Sequence, residues 1–246
     1  MTEALRQRLA IVREQIAAAA AAAGRQADEV QLIAVSKTHP PEVVAAAVAA
    51  GVSDIGENRV QEAQHKIAAL HSLQPRPRWH LIGHLQRNKA KVAVELFDLI
   101  HSVDSVRLAE TLDRHARERD RRLPILLQVN VSGEASKEGF VVVDGIKNTT
   151  AYSAFLRDVE AILQLPALEI RGLMTIAPIV EHPDLARPYF ATLRELRDDL
   201  VRRYPQTNWR ELSMGMSDDL TAAIAEGATM VRIGRAIFGE RTGKMV

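Results

Sequence analysis

The 246-residue chain contains no cysteine. Disulfides, thiolate metal centres and cysteine nucleophiles are thereby excluded, and the composition suits a reducing compartment. Aromatic residues reach only 4%, with three tyrosines, so phenolic acid–base groups are scarce. Net charge is almost absent, at +1, and no block of like charge is long enough to form a tail. Nothing in the electrostatics calls for a nucleic-acid partner. Long apolar runs are missing as well. The alanine-rich stretch 17–23 falls far short of the ~20 residues of a membrane span. The first seven residues mix charges and lack the apolar region of a signal peptide. These absences predict a soluble, cytoplasmic protein with neither nucleic acid nor membrane among its partners.

What is present is an ample supply of core residues, 47% hydrophobic, arranged as strand followed by helix. Leu5, Leu9, Val12 and Ile16 lie at helical spacing, which predicts an amphipathic helix over 3–23 that stops at Gly24. The strands predicted after it cover 31–36, 54–57, 79–83, 99–103, 125–131, 168–176, 211–214 and 230–234. Seven are followed by helical stretches, at 41–50, 60–70, 88–96, 105–117, 154–163, 185–203 and 217–226. The last is followed only by a short turn, and 132–150 reads as a longer polar loop. Eight such units predict a single α/β domain over 1–246, a closed (β/α)8 TIM barrel with an extra N-terminal helix. That helix is expected to cap the barrel, leaving a monomer. An open doubly wound sheet is the alternative, but no G-x-G-x-x-G follows the first strand.

In a barrel of this kind the chemistry gathers at the carboxyl ends of the strands. The first strand, Gln31-Leu32-Ile33-Ala34-Val35-Ser36, ends on Lys37. Desolvation by so apolar a run disfavours the ammonium form, and a neutral amine is what a Schiff base with an aldehyde requires. The plain alternative is a lysine reaching out to water. Further ends carry Asn58, the turn after His80, Met174 with Thr175, and the block Ser213-Met214-Gly215-Met216-Ser217. In that block a glycine loop leads to a serine at a predicted helix start, where backbone N–H groups favour a phosphate. Gly234, between Arg232 and Arg235, adds an unhindered N–H to the same cradle. A lysine at one end and a phosphate site at the other outline an aldehyde-bearing phosphate ester. Pyridoxal 5′-phosphate and a sugar phosphate in a Schiff-base aldolase both qualify. Arg232 favours the first, since a fixed cation beside a pyridine nitrogen keeps that nitrogen unprotonated.

Six blocks resemble one known family. They are Val35-Ser36-Lys37-Thr38, Gly56-Glu57-Asn58-Arg59-Val60-Gln61-Glu62, Trp79-His80-Leu81-Ile82-Gly83-His84-Leu85-Gln86-Arg87-Asn88-Lys89, Gly172-Leu173-Met174-Thr175-Ile176, Leu212-Ser213-Met214-Gly215-Met216-Ser217-Asp218-Asp219 and Val231-Arg232-Ile233-Gly234. In this order they are similar to the pyridoxal phosphate homeostasis proteins. The resemblance implies a barrel like the N-terminal domain of alanine racemase, with pyridoxal 5′-phosphate held as a Schiff base on Lys37. It implies phosphate binding by the 213–217 loop and the Gly234 region, Arg232 near the ring nitrogen, and Asn58 and His80 close to the ring. Arg235 stands where many relatives carry Thr or Ser, so a guanidinium or backbone contact replaces a hydroxyl there.

Two functions follow. The first is a cofactor carrier serving vitamin B6 homeostasis, without catalysis of its own, with pyridoxal phosphate-dependent apoenzymes as recipients. Racemases of this fold use a second base from an additional domain; none is expected after the last strand, and Tyr152, Tyr189 and Tyr204 fall in helices or the loops beside them. The second is a racemase-like enzyme using Lys37, with His80, His84 or His101 as the other acid–base group. No metal is expected. His80 and His84 have H-x-x-x-H spacing, but on a strand and its turn rather than one helix face.

Overall fold

The computed structural model describes residues 2–239. Its strands are β1 (Gln31–Val35), β2 (Asp54–Glu57), β3 (Arg78–Leu81), β4 (Leu99–Val103), β5 (Leu123–Asn130), β6 (Phe140–Val141), β7 (Leu168–Met174), β8 (Glu211–Ser213) and β9 (Met230–Ile233). The helices are α1 (Thr2–Ala22), α2 (Pro41–Ala49), α3 (Val60–Ala69), α4 (Ala90–Leu96), α5 (Val106–Arg117), α6 (Thr149–Leu163), α7 (Arg187–Arg203), α8 (Leu220–Ala225) and α9 (Arg235–Phe238). All strand pairings are parallel, in the order β4-β3-β2-β1-β9-β8-β7-β5, and β4 pairs with β5 to close the ring. Eight strands form the expected barrel.

The apolar strands bury two distinct faces. Outward residues join the helices in the main core, which includes Trp79, Phe97, Phe190 and Trp209. Ile33, Leu99, Leu126, Met174 and Met230 form a separate small cluster inside the ring. Strands covered on both sides need no polar alternation, which explains their near-continuous Leu, Ile and Val content.

β6 departs from the sequence reading, which had a loop there. Val129 pairs with Phe140 and Asn130 with Val141, so β6 lies beside the carboxyl end of β5. Side chains stitch the intervening loop: Gln128 Nε2 donates to Glu138 O at 2.9 Å, and Asn130 Nδ2 to Glu134 O at 3.0 Å. Burial of Phe140 anchors the pairing.

The N-terminal helix does not cap an end of the barrel. It packs along the side, against α2, α8 and α9. The reason lies in α9, which is four residues long and leaves a gap in the outer ring of helices. Leu5, Leu9, Val12, Ile16 and Ala20 fill it. The helix stops at Gly24 (φ 69°), where Arg25 N–H bonds Ala20 O at 2.9 Å and Gly24 N–H bonds Ala21 O at 3.0 Å. This paired closure needs a left-handed residue. Arg25 then donates to Ile224 O and Ala228 O, capping α8. Among the described residues, no helix is long and apolar enough to cross a membrane.

This packing predicts that Leu9→Ala, at a 2% exposed position, destabilises the protein by roughly 2–5 kcal/mol in urea unfolding. Ile11→Ala, on the solvent side of the same helix at 54% exposure, should change stability by less than about 0.5 kcal/mol.

Candidate functional site

Lys37 follows β1 in a turn gripped from below by a buried ion network. Lys66 of α3, 2% exposed, uses all three ammonium donors: Ser36 O at 2.7 Å, Glu57 Oε1 at 2.6 Å and Glu62 Oε1 at 2.7 Å. Glu62 Oε1 also accepts the Thr38 N–H at 2.5 Å, and Ser36 Oγ donates to Glu57. The residues on either side of Lys37 are thus both tied to one charged cluster. Thr38 has φ 69°, a conformation costly for a β-branched residue, so the grip maintains a turn that the local sequence disfavours. Burial pushes the Glu57 carboxyl up, against the opposing pull of Lys66.

Above this turn lies a cavity of about 520 Å³ at the carboxyl end of the barrel. Six of the anticipated residues line it: Lys37, Asn58, Ser217, Arg232, Gly234 and Arg235. Gly234 allows close approach, because a Cβ there would lie 3.2 Å from Val35 O. Arg235 is engaged by Asp218, Nη2 to Oδ1 at 2.5 Å. Met216 of the 213–217 loop, Asp218 and Ile176 from the quoted blocks, and His39, which the sequence reading did not single out, complete much of the wall. His39, which stacks on Phe238 at 5.1 Å, had a usable signal in its place two residues after the lysine.

The 213–217 block divides. Ser217 lines the cavity, whereas Ser213 and Met214 are fully buried. Gly215 (φ 94°) packs so closely that an added Cβ would sit 2.6 Å from the Ala223 Cβ. Ser217 is also not at a helix start as expected. Asp219 Oδ1 accepts the Met216 N–H at 2.6 Å, folding 216–219 into a compact turn and delaying α8 to Leu220. Ser217 therefore sits in a loop, with no helix dipole directly behind it.

His80 and Met174 lie beneath the cavity, 2% and 0% exposed. Met174 belongs to the apolar cluster inside the ring. His80 joins a polar file in the same interior. Its Nε2 is 2.9 Å from Asp54 Oδ1, and its Nδ1 is 2.9 Å from His101 Nε2. His101 Nδ1 is 2.8 Å from Ser213 Oγ, which accepts from Arg232 Nη1 at 2.7 Å. Arg232 Nη2 donates to Thr175 O at 2.8 Å. Burial, with His80 and Arg232 as neighbours, holds His101 well below its ordinary 6.5. Burial likewise lowers Arg232, to about 10, leaving it cationic at neutral pH. Burial pushes the Asp54 carboxyl up, but hydrogen bonds from His80, Ser53 and Arg78 outweigh it and hold the value at about 2.

His84 stands apart from His80, exposed on the surface. Its Nδ1 is 3.1 Å from Asp104 Oδ2, and Glu138 joins them so that the three groups lie within 4.8 Å of one another. This knots the loops after β3, β4 and β5. Tyr152 and Tyr189 are on α6 and α7, and Tyr204 follows α7. None of the three lines the cavity.

A family model described as "Alanine racemase, N-terminal domain" matches residues 8–242. The pyridoxal phosphate homeostasis protein of Aquifex aeolicus (strain VF5) is 43% identical over 235 residues, covering 96% of this chain and 97% of that protein. The protein of that name from Escherichia coli (strain K12) is 41% identical over 238 residues, covering 95% of each. A structure of PipY from Synechococcus elongatus PCC7942 with PLP bound superimposes with a TM-score of 0.80 at 42% identity, over 96% of this chain and 100% of that one. Alanine racemase of Clostridium difficile 630 shares the fold, with a TM-score of 0.70 at 12% identity, over 96% of this chain and 56% of that one.

Two predictions follow from the buried charges. Lys66→Met leaves the Glu57 carboxylate uncompensated and should cost roughly 3–5 kcal/mol; Lys66→Met with Glu57→Gln should recover part of that in the same urea titration. Acidification should remove stability in two steps. The unfolded chain protonates His101 below its ordinary 6.5 while the folded chain does not, so stability falls as pH drops through that range. Asp54, held near 2 against an ordinary 3.8, adds about 2 kcal/mol that is present above pH ~4 and lost between there and pH ~2. Melting temperature against pH should show the lower step disappear in Asp54→Asn.

Proposed function

Because the chain belongs to the pyridoxal phosphate homeostasis protein family, we propose that it binds pyridoxal 5′-phosphate through Lys37 and acts as a carrier of that cofactor. The carrying observation is the convergence of Lys37, Arg232, Ser217 and Gly234 on one cavity. These residues fit the group: an amine for the aldehyde, a buried guanidinium for the ring, and a hydroxyl with an unhindered backbone segment for the phosphate. Bound there, pyridoxal phosphate supplies an electrophilic aldehyde on an aromatic ring. Lys37 would hold the ligand at that aldehyde, its amine condensing there with release of one water. Arg232 places a fixed positive charge at the cavity wall and opposes protonation of the ring nitrogen. Without that proton the ring withdraws electrons weakly, which suits storage better than turnover. Arg235 reaches the phosphate only by sharing its guanidinium with Asp218, or through its backbone.

In this reading the protein acts as a cytoplasmic monomer that buffers pyridoxal phosphate for apoenzymes that require it. Relatives at 41–43% identity are named for homeostasis, which supports the carrier over an enzyme. The competing reading, amino-acid racemisation on Lys37, needs a second acid–base group facing the other side of the substrate. His80 and His101 are buried beneath the cavity, and His39 is the histidine that lines it. Turnover of D- and L-alanine by the loaded wild type, lost in His39→Ala, would favour the racemase.

Absorbance of the purified protein with added pyridoxal phosphate provides the test. Wild type should develop a visible Schiff-base band that borohydride abolishes, with the reduced adduct mapping to Lys37; Lys37→Ala should show neither. A wild type that takes up no pyridoxal phosphate would overturn the proposal.

A further inference from the structure

The polar file under the cavity spans the barrel from end to end. Arg232 lines the cavity, whereas Asp54 opens β2 at the opposite face, about 13 Å along the strand from Asn58 at 3.3 Å per residue. The five members, Arg232, Ser213, His101, His80 and Asp54, are each 5% exposed or less. At the far end Arg78 Nε meets Asp54 Oδ1 at 2.7 Å.

The two ends fix the sense of the bonds they make, and one arrangement of hydrogens carries that sense through the file. A guanidinium can only donate, and an ionised carboxylate can only accept. Ser213 accepts from Arg232, and His101 Nδ1, 2.8 Å away, is the acceptor within reach of its own hydrogen. His101 then carries its hydrogen on Nε2 and donates to His80 Nδ1. His80 in turn carries its hydrogen on Nε2 and donates to Asp54. In that arrangement one hydrogen occupies every gap and both rings are neutral. Adding a proton to His80 Nδ1 would set N–H against N–H, unless His101 reversed its tautomer and took from Ser213 the acceptor of its hydroxyl.

We propose that His101 and His80 are positioning residues for Arg232: a neutral imidazole pair, both with hydrogen on Nε2, that ties the cavity guanidinium to Asp54 across the barrel. The orientation presented to a bound pyridine ring is thereby set from the face opposite the ligand. This role rests on the pyridoxal phosphate reading above, whereas the tautomer assignment stands on the apoprotein alone. Asp54→Asn is the informative change, because an amide can donate as well as accept and so releases the polarity of the whole file.

The test combines two readouts on the full chain. Long-range 15N–1H spectra of the apoprotein at pH 7 should show His80 and His101 neutral with hydrogen on Nε2, and should show that pattern lost in Asp54→Asn. In pyridoxal phosphate titrations, Asp54→Asn and His101→Phe should weaken binding roughly ten-fold and shift the absorbance maximum of the bound ligand. His101→Gln, whose amide can accept from Ser213 and donate to His80, should restore affinity to within about three-fold. Either imidazole cationic or protonated on Nδ1 alone would overturn the proposal, as would wild-type affinity and spectrum in Asp54→Asn. If His101→Phe fails to fold, Asp54→Asn and the spectra still decide. Wild type that binds no pyridoxal phosphate would sink the orienting role together with the carrier reading, leaving the spectra to decide the tautomers.

Discussion

One buried ammonium organises the working end of this barrel. Lys66 satisfies all three of its donors within the protein, on Ser36 O and the carboxylates of Glu57 and Glu62. A charge removed from water is tolerable only with such complete pairing. The arrangement joins the end of β1, the end of β2 and the first turns of α3. It also supports Thr38 in a left-handed conformation, against the preference of a β-branched side chain. The position of Lys37 is consequently a property of α3 as much as of its own strand.

A second polar system occupies the barrel interior, and the two are complementary. The Lys66 network is ionic and gathers backbone from neighbouring elements. The file from Arg232 to Asp54 is mostly neutral between charged ends, and its members come from five different strands. Apolar residues fill the rest of the interior, with Ile33, Leu99, Leu126, Met174 and Met230 in mutual contact. Low polarity around the file strengthens each hydrogen bond and raises the cost of losing one. A cation and an anion at opposite ends thus share a single line of oriented dipoles.

Much of this was legible before any coordinates. The strand–helix alternation, the eight strands and the stop at Gly24 all follow from local signals that packing then reinforces. Lys37, Arg232, Ser217 and Gly234 were accessible because they sit at strand ends, where barrel topology alone places them together. What could not be read was which residues face the axis. In strands buried on both sides, period-two alternation carries no contrast, so Ser213 and His80 looked like cavity residues although they support it from beneath. The start of α8 was misjudged for a related reason: Ser217 and Asp219 both make good caps, and only the Met216 N–H bond to Asp219 decides between them. β6 was hidden in a polar loop whose pairing depends on side chains far closer in space than in composition.

The pairing of β1 with β9, from Gln31 opposite Met230 to Ala34 opposite Ile233, has a consequence for biosynthesis. The strand that ends on Lys37 emerges first from the ribosome, and the strand that carries Arg232 emerges last. Between those events β1 has β2 on one side and an open edge on the other. Such non-local closure is slow, and it leaves an exposed strand edge while the chain waits. The wall that carries Lys37 is therefore joined to the one that carries Arg232 late, when β9 docks against β1.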